Sequence, residues 1–128
     1  MFPQRKTLVI YLYQWLLDAL YAPARLAGVW GNGSFRERLG FYPPEETKPL
    51  AMGYNLWIHA ASAGEVNAIL SFSRALREKC PGAKLVLTTT SATGKKLALE
   101  KGVADAVFLA PLDMTAPLRR ATLVSQLR

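Results

Sequence analysis

The stretch NLWIHAASAGEVNAILSFSRALREKCPGAKLVLTTTSATGKKLALEKGVADAVFLA, residues 55–110, sets short apolar runs between longer segments of helical pattern. The runs at 56–60, 84–89 and 106–109 have the length and β-branched content of strands. Between and after them, 66–79, 93–101 and 115–127 read as helices. In the first of these, Val66, Ile69, Leu70, Ser73, Leu76 and Arg77 recur at helical spacing, so one mainly apolar side faces a sheet while Arg74, Glu78 and Lys79 face away. Pro81-Gly82 and Gly102 punctuate the returns from helix to strand. The order βαβαβα predicts an α/β fold with a parallel sheet. Ligands of such sheets bind beyond the carboxyl ends of the strands. The loops 59–65, 88–94 and 110–113 are therefore expected on one rim. Three strands fall short of a complete doubly wound sheet, so the reading expects an open-ended half with its last strand unpaired and poorly covered.

Working outward toward the start, residues 7–22 read TLVIYLYQWLLDALYA, with Arg5 and Lys6 before them and Arg25 after. A spanning helix needs about twenty mainly apolar residues, and Gln14, Asp18 and the nearby Pro23 interrupt this one. No clean A-x-A cleavage site follows the apolar run. An uncleaved anchor, short transmembrane or interfacial, accounts for Tyr11, Tyr13, Trp15, Tyr21 and Trp30 as headgroup-level aromatics. An amphipathic helix packed on its own domain is the other reading. With an anchor, Arg25, Arg36 and Arg38 fall on the cytoplasmic side. The segment 28–53 holds five glycines and three prolines and reads as a connection with short helical pieces. The chain thus divides into an anchor or interfacial helix (1–30), a Gly/Pro-rich connection (31–54) and a partial α/β domain (55–128).

With 128 residues, 51% hydrophobic and 20% charged, the chain is long and apolar enough for one globular domain. Sixteen Lys and Arg against nine Asp and Glu give +7, which favours an anionic partner: a phospholipid surface, a phosphorylated substrate or nucleic acid. Dense Lys/Arg runs and aromatic-plus-Gly signatures are missing, which argues against nucleic acid. The single Cys80 excludes an internal disulfide and, with His59 as the one histidine, leaves no zinc-ligand spacing. Cys80 precedes Pro81-Gly82 at a helix end and reads as a small, partly buried side chain.

Chemistry concentrates in the loops. The first, His59-Ala-Ala-Ser-Ala-Gly-Glu65, leaves a strand through small residues that let a ligand approach the backbone, and the helix start beyond it suits a phosphate or carboxylate. Glu65 is its one carboxylate and can serve as general base toward a hydroxyl. Ser62-x-x-Glu65 is equally a capping box, in which Glu65 merely satisfies the helix start. His59 ends an apolar run and reads as a hydrogen-bonded core or rim histidine. The second loop, Thr88-Thr-Thr-Ser-Ala-Thr-Gly94, offers hydroxyls to a sugar or phosphate, or else β-branched packing and an N-cap with Lys95 and Lys96 on a solvated face. Neither a P-loop nor a G-x-G-x-x-G order is present.

Read in succession, Phe35-Arg-Glu-Arg-Leu-Gly-Phe-Tyr-Pro-Pro44, Trp57-Ile-His-Ala-Ala-Ser-Ala-Gly-Glu65, Leu85-Val-Leu-Thr-Thr-Thr-Ser-Ala-Thr-Gly94 and Pro111-Leu-Asp113 resemble the N-terminal motifs of bacterial Kdo (3-deoxy-D-manno-octulosonic acid) transferases. The resemblance covers nearly the whole chain. It implies a two-domain GT-B glycosyltransferase that moves Kdo from CMP-Kdo to a lipid A precursor with inversion, without a cofactor or catalytic metal, at the cytoplasmic face of the inner membrane. It implies that Glu65, in the S-x-G-E position, is the general base, and that Ser62, Gly64, Ser91 and Thr93 occupy acceptor-side loops. The family's E-x-E-x-W-P segment and its C-terminal domain, which takes the CMP-Kdo donor, do not occur in these residues, so the expectation is a fragment inactive alone. Two other readings stay open: a membrane-tethered module that binds a phosphorylated lipid without reacting, and a soluble sugar-nucleotide enzyme of another GT-B family.

Overall fold

The computed structural model of the chain describes residues 4–51, 53–113 and 115–126. Its centre is a three-stranded parallel sheet of β1 (Tyr54–His59), β2 (Ala83–Thr89) and β3 (Ala106–Leu109), in that spatial order. Val86 lies opposite both Trp57 and Ala106, which fixes the register across the three strands. The connections are α5 (Ala63–Ala68) with α6 (Leu70–Lys79), then α7 (Ala92–Lys101). The expected single helix over 66–79 is therefore two helices meeting at Ile69. Past β3 the chain enters α8 (Thr115–Gln126), which packs against β1 and the 3₁₀ turn Lys48–Ala51. α7 ends at Gly102 with φ +59°, the left-handed conformation glycine adopts without strain, and Val103 N–H then bonds back to the Ala98 carbonyl.

Alternation along the strands sends side chains to two cores. Ala60, Val66, Leu87, Ala98, Val103 and Val107 pack beneath the helices of one face, and Leu50, Val86, Ala106 and Phe108 form a second cluster with Tyr42 beside it. The Tyr42 and Phe108 rings stand 4.5 Å apart at 50°. Every residue of β3 is buried, whereas Tyr54 and Trp57 of β1 are exposed. Among the described residues β3 pairs with β2 alone, so the last strand is an unpaired edge as expected, but the expected poor cover is corrected. α3 (Gly33–Arg38) and the Tyr42 and Leu50 side chains from the Gly/Pro-rich segment shelter β3, while β1, the other edge, keeps Tyr54 and Trp57 exposed. That segment also holds the short helix α4 (Pro44–Thr47), so it has the expected helical pieces and supplies core residues too. Cys80, expected to be partly buried, is exposed.

The N-terminal stretch folds as α1 (Gln4–Ala19) and α2 (Tyr21–Trp30). Among the described residues, no helix is long and apolar enough to cross a membrane. The two polar residues that interrupt the apolar run are committed to protein. Asp18 accepts the Thr115 amide and hydroxyl at 2.8 and 2.7 Å, and Gln14 Nε2 donates to Thr115 Oγ1 at 3.1 Å. Tyr13 donates to Asp113 at 3.4 Å. Leu8, Ile10, Leu12, Trp15 and Leu16 are exposed. The side chains of Arg5, Lys6, Trp30 and 125–128 lie outside the described residues.

Candidate functional site

The three loops expected on one rim are joined there by hydrogen bonds. Ala61 O accepts Thr90 N–H at 3.3 Å and the hydroxyls of Thr89 and Thr90 at 3.3 and 2.5 Å, tying the first loop to the second. Ala110 N–H donates to Thr89 O at 2.8 Å, which adds the third. Arg38 connects them from outside: its guanidinium donates to Thr90 O, and its own carbonyl accepts Leu112 N–H at 2.8 Å.

Ser62 caps α5, its hydroxyl accepting Glu65 N–H at 3.3 Å. The Glu65 carboxylate turns back over the loop, where Oε2 accepts Ala61 N–H at 2.8 Å, one residue earlier than a standard capping box requires. The capping reading of Glu65 is thus seen in the structure, and the same bond holds an exposed carboxylate at the sheet rim. Gly64 is exposed, and a Cβ there would meet nothing nearer than Ser62 Oγ at 3.8 Å. Packing within the chain does not demand glycine at that position; space above the loop is what it leaves.

Ser91 caps α7 by accepting Gly94 N–H at 3.0 Å, and Thr93 is exposed in the first turn. Gly94 is a different kind of glycine, because a Cβ would fall 2.5 Å from Thr89 Oγ1, 2.9 Å from Ser91 Oγ and 3.5 Å from Ala63 N. Its lack of a side chain lets the start of α7 approach the start of α5. His59 is a rim histidine, as read. Its Nδ1 lies 3.0 Å from Thr88 Oγ1, which also accepts the Trp57 indole N–H at 2.9 Å.

Lys95 corrects the solvated-face reading. Its ammonium binds both oxygens of Glu37 at 2.8 and 3.0 Å, and the Glu37 side chain is only 6% exposed. Burial first, and then the Glu37 charge, raise the Tyr42 hydroxyl far above its ordinary titration range. Arg38 and Glu37 were missed as positioning residues; the signal was present as the R-x-R spacing, but its partners lie in distant loops. Among the described residues no three His, Cys, Asp or Glu side chains cluster to hold a metal ion. Residues 33–126 match the model of the family described as 3-Deoxy-D-manno-octulosonic-acid transferase (kdotransferase). No curated protein and no solved structure matches the chain.

Proposed function

The chain belongs to the 3-deoxy-D-manno-octulosonic acid transferase family, and from that premise we propose that it forms the acceptor side of a Kdo transferase of lipopolysaccharide synthesis. In this reading Glu65 removes the proton from an acceptor hydroxyl as that oxygen attacks the anomeric carbon of Kdo and CMP departs, which inverts the centre. The carrying observation is the Glu65 carboxylate, exposed yet fixed at the rim by Ala61 N–H beside the open surface of Gly64. Ser62 and Ser91 hold the two helix starts in place, and Thr93 offers a hydroxyl to the sugar. The acceptor is a lipid A precursor. The CMP-Kdo donor is taken by a second domain outside these residues, no cofactor is used, and transfer by these residues alone is not expected.

The exposed apolar residues of α1 support placement at the cytoplasmic face of the inner membrane, with α1 lying in an anionic interface. The Asp18 and Gln14 bonds to Thr115 then join that helix to the end of the third loop, and the rim is held near the bilayer. An NMR titration of the chain with a deacylated, phosphorylated glucosamine disaccharide tests the reading. Amide shifts concentrated at 61–65 and 90–94 are expected; saturable shifts confined to other surfaces would overturn it. Binding at those loops with no transfer even when a donor domain is supplied, by the parent chain and Glu65→Gln alike, would favour the non-catalytic lipid-binding module.

A further inference from the structure

Apart from the Glu65 rim, two cavities adjoin each other on the α3 side of the molecule. The larger, of about 910 Å³, lies between α3, the Phe41–Pro44 turn and the outer side of α7. The smaller, of about 220 Å³, lies under α2. Arg36 and Phe41 line both, so they form one groove running from α2 to the first turn of α7. Arg25 and Arg36 face the α2 end, and neither takes part in an ion pair among the described residues. Farther along, Phe41, Pro43, Pro44 and Leu99 contribute apolar walls, with Leu99 57% exposed.

Two unpaired guanidiniums at one end suit a single group of charge near −2, since Arg presents its N–H donors in a fork that matches phosphate oxygens. The apolar walls beyond suit a hydrocarbon chain. We propose that this groove binds a membrane-borne phosphorylated lipid, with its phosphate monoester on Arg25 and Arg36 and one hydrocarbon chain along Pro44 and Leu99. This rests on the reading that the acceptor is a lipid, and it adds a subsite that Glu65 does not touch.

The test titrates the 128-residue chain with dihexanoyl phosphatidic acid, dihexanoyl phosphatidylcholine and inorganic phosphate, following amide shifts and affinity for the parent chain and for Arg36→Gln, Leu99→Asp and Lys79→Gln. Phosphatidic acid is expected to shift amides of α3 and α7 and to bind at least tenfold more tightly than the other two probes. Arg36→Gln should weaken it tenfold or more, Leu99→Asp should weaken it while sparing the weak phosphate binding, and Lys79→Gln should stay within twofold. Unchanged circular dichroism separates these effects from unfolding. Equal affinity for phosphatidylcholine would make the groove merely apolar, and equal affinity for inorganic phosphate would make it a free-anion site; either overturns the proposal. So does binding indifferent to Arg36→Gln. Disaccharide binding at 61–65 with no phosphatidic acid in the groove would remove this subsite and leave the Glu65 reading standing.

Discussion

Gly64 and Gly94 look alike in sequence, each in the first turn of a helix after a capping serine, yet the structure separates them. Gly94→Ala puts a Cβ 2.5 Å from the fully buried Thr89, and overpacking of that kind costs about 1–3 kcal/mol, to be read by urea unfolding. Gly64→Ala meets no such obstacle, and alanine is favoured over glycine in a helix by up to about 1 kcal/mol. It should therefore leave stability unchanged or improved while weakening disaccharide binding, because the methyl occupies the space above the loop. Ser62→Ala removes the acceptor for Glu65 N–H and should cost about 0.5–2 kcal/mol. The capping pattern and the position of Glu65 were legible in sequence because both bonds are local. What distinguishes the two glycines was not, since Thr89 and Ala63 reach Gly94 only once the strands have paired.

The strand-helix alternation was readable element by element, with β3 and the start of α8 falling where the pattern placed them. The contacts between elements were hidden in residues that look like ordinary surface charge. Lys95→Met leaves the Glu37 carboxylate buried without its cation, a loss of about 3–5 kcal/mol, whereas Glu37→Leu with Lys95→Met should recover most of it in the same denaturation measurement. The α1 to α8 contact carries a pH dependence whose sign follows from Asp18. The Thr115 hydroxyl first, then the Thr115 amide, hold its carboxyl below the ordinary value of 3.8. A group lowered in the folded state contributes its stabilisation above the unfolded value and loses it as pH falls through the lowered one. Protection of the Thr115 amide, taken as its exchange rate relative to the unfolded rate at the same pH, should therefore hold from neutral pH through the ordinary carboxylate range and fall only below it. Asp18→Asn should remove that acid dependence.

For the molecule as a whole, the α/β class and the shared rim followed from pattern, but the cover over the last strand did not. Cover for β3 comes from residues some sixty positions earlier, Tyr42 and Leu50, which a strand pattern cannot register. The apolar character of α1 was legible in sequence, whereas the bonds of its Asp18 and Gln14 to Thr115 were not, because those partners lie about a hundred residues apart. Sedimentation with anionic vesicles should carry the chain down, less so as salt rises. Leu12→Asp with Leu16→Asp should reduce that binding at least tenfold. The central claim, that Glu65 is the base of Kdo transfer, is tested most directly by placing residues 33–126 in the acceptor-side position of an active Kdo transferase and measuring transfer from CMP-Kdo with and without Glu65→Gln. The account predicts a loss of about 10²–10⁴-fold in kcat, with acceptor binding unchanged because glutamine still accepts Ala61 N–H. Transfer by the Glu65→Gln chimera at the parent rate would contradict it.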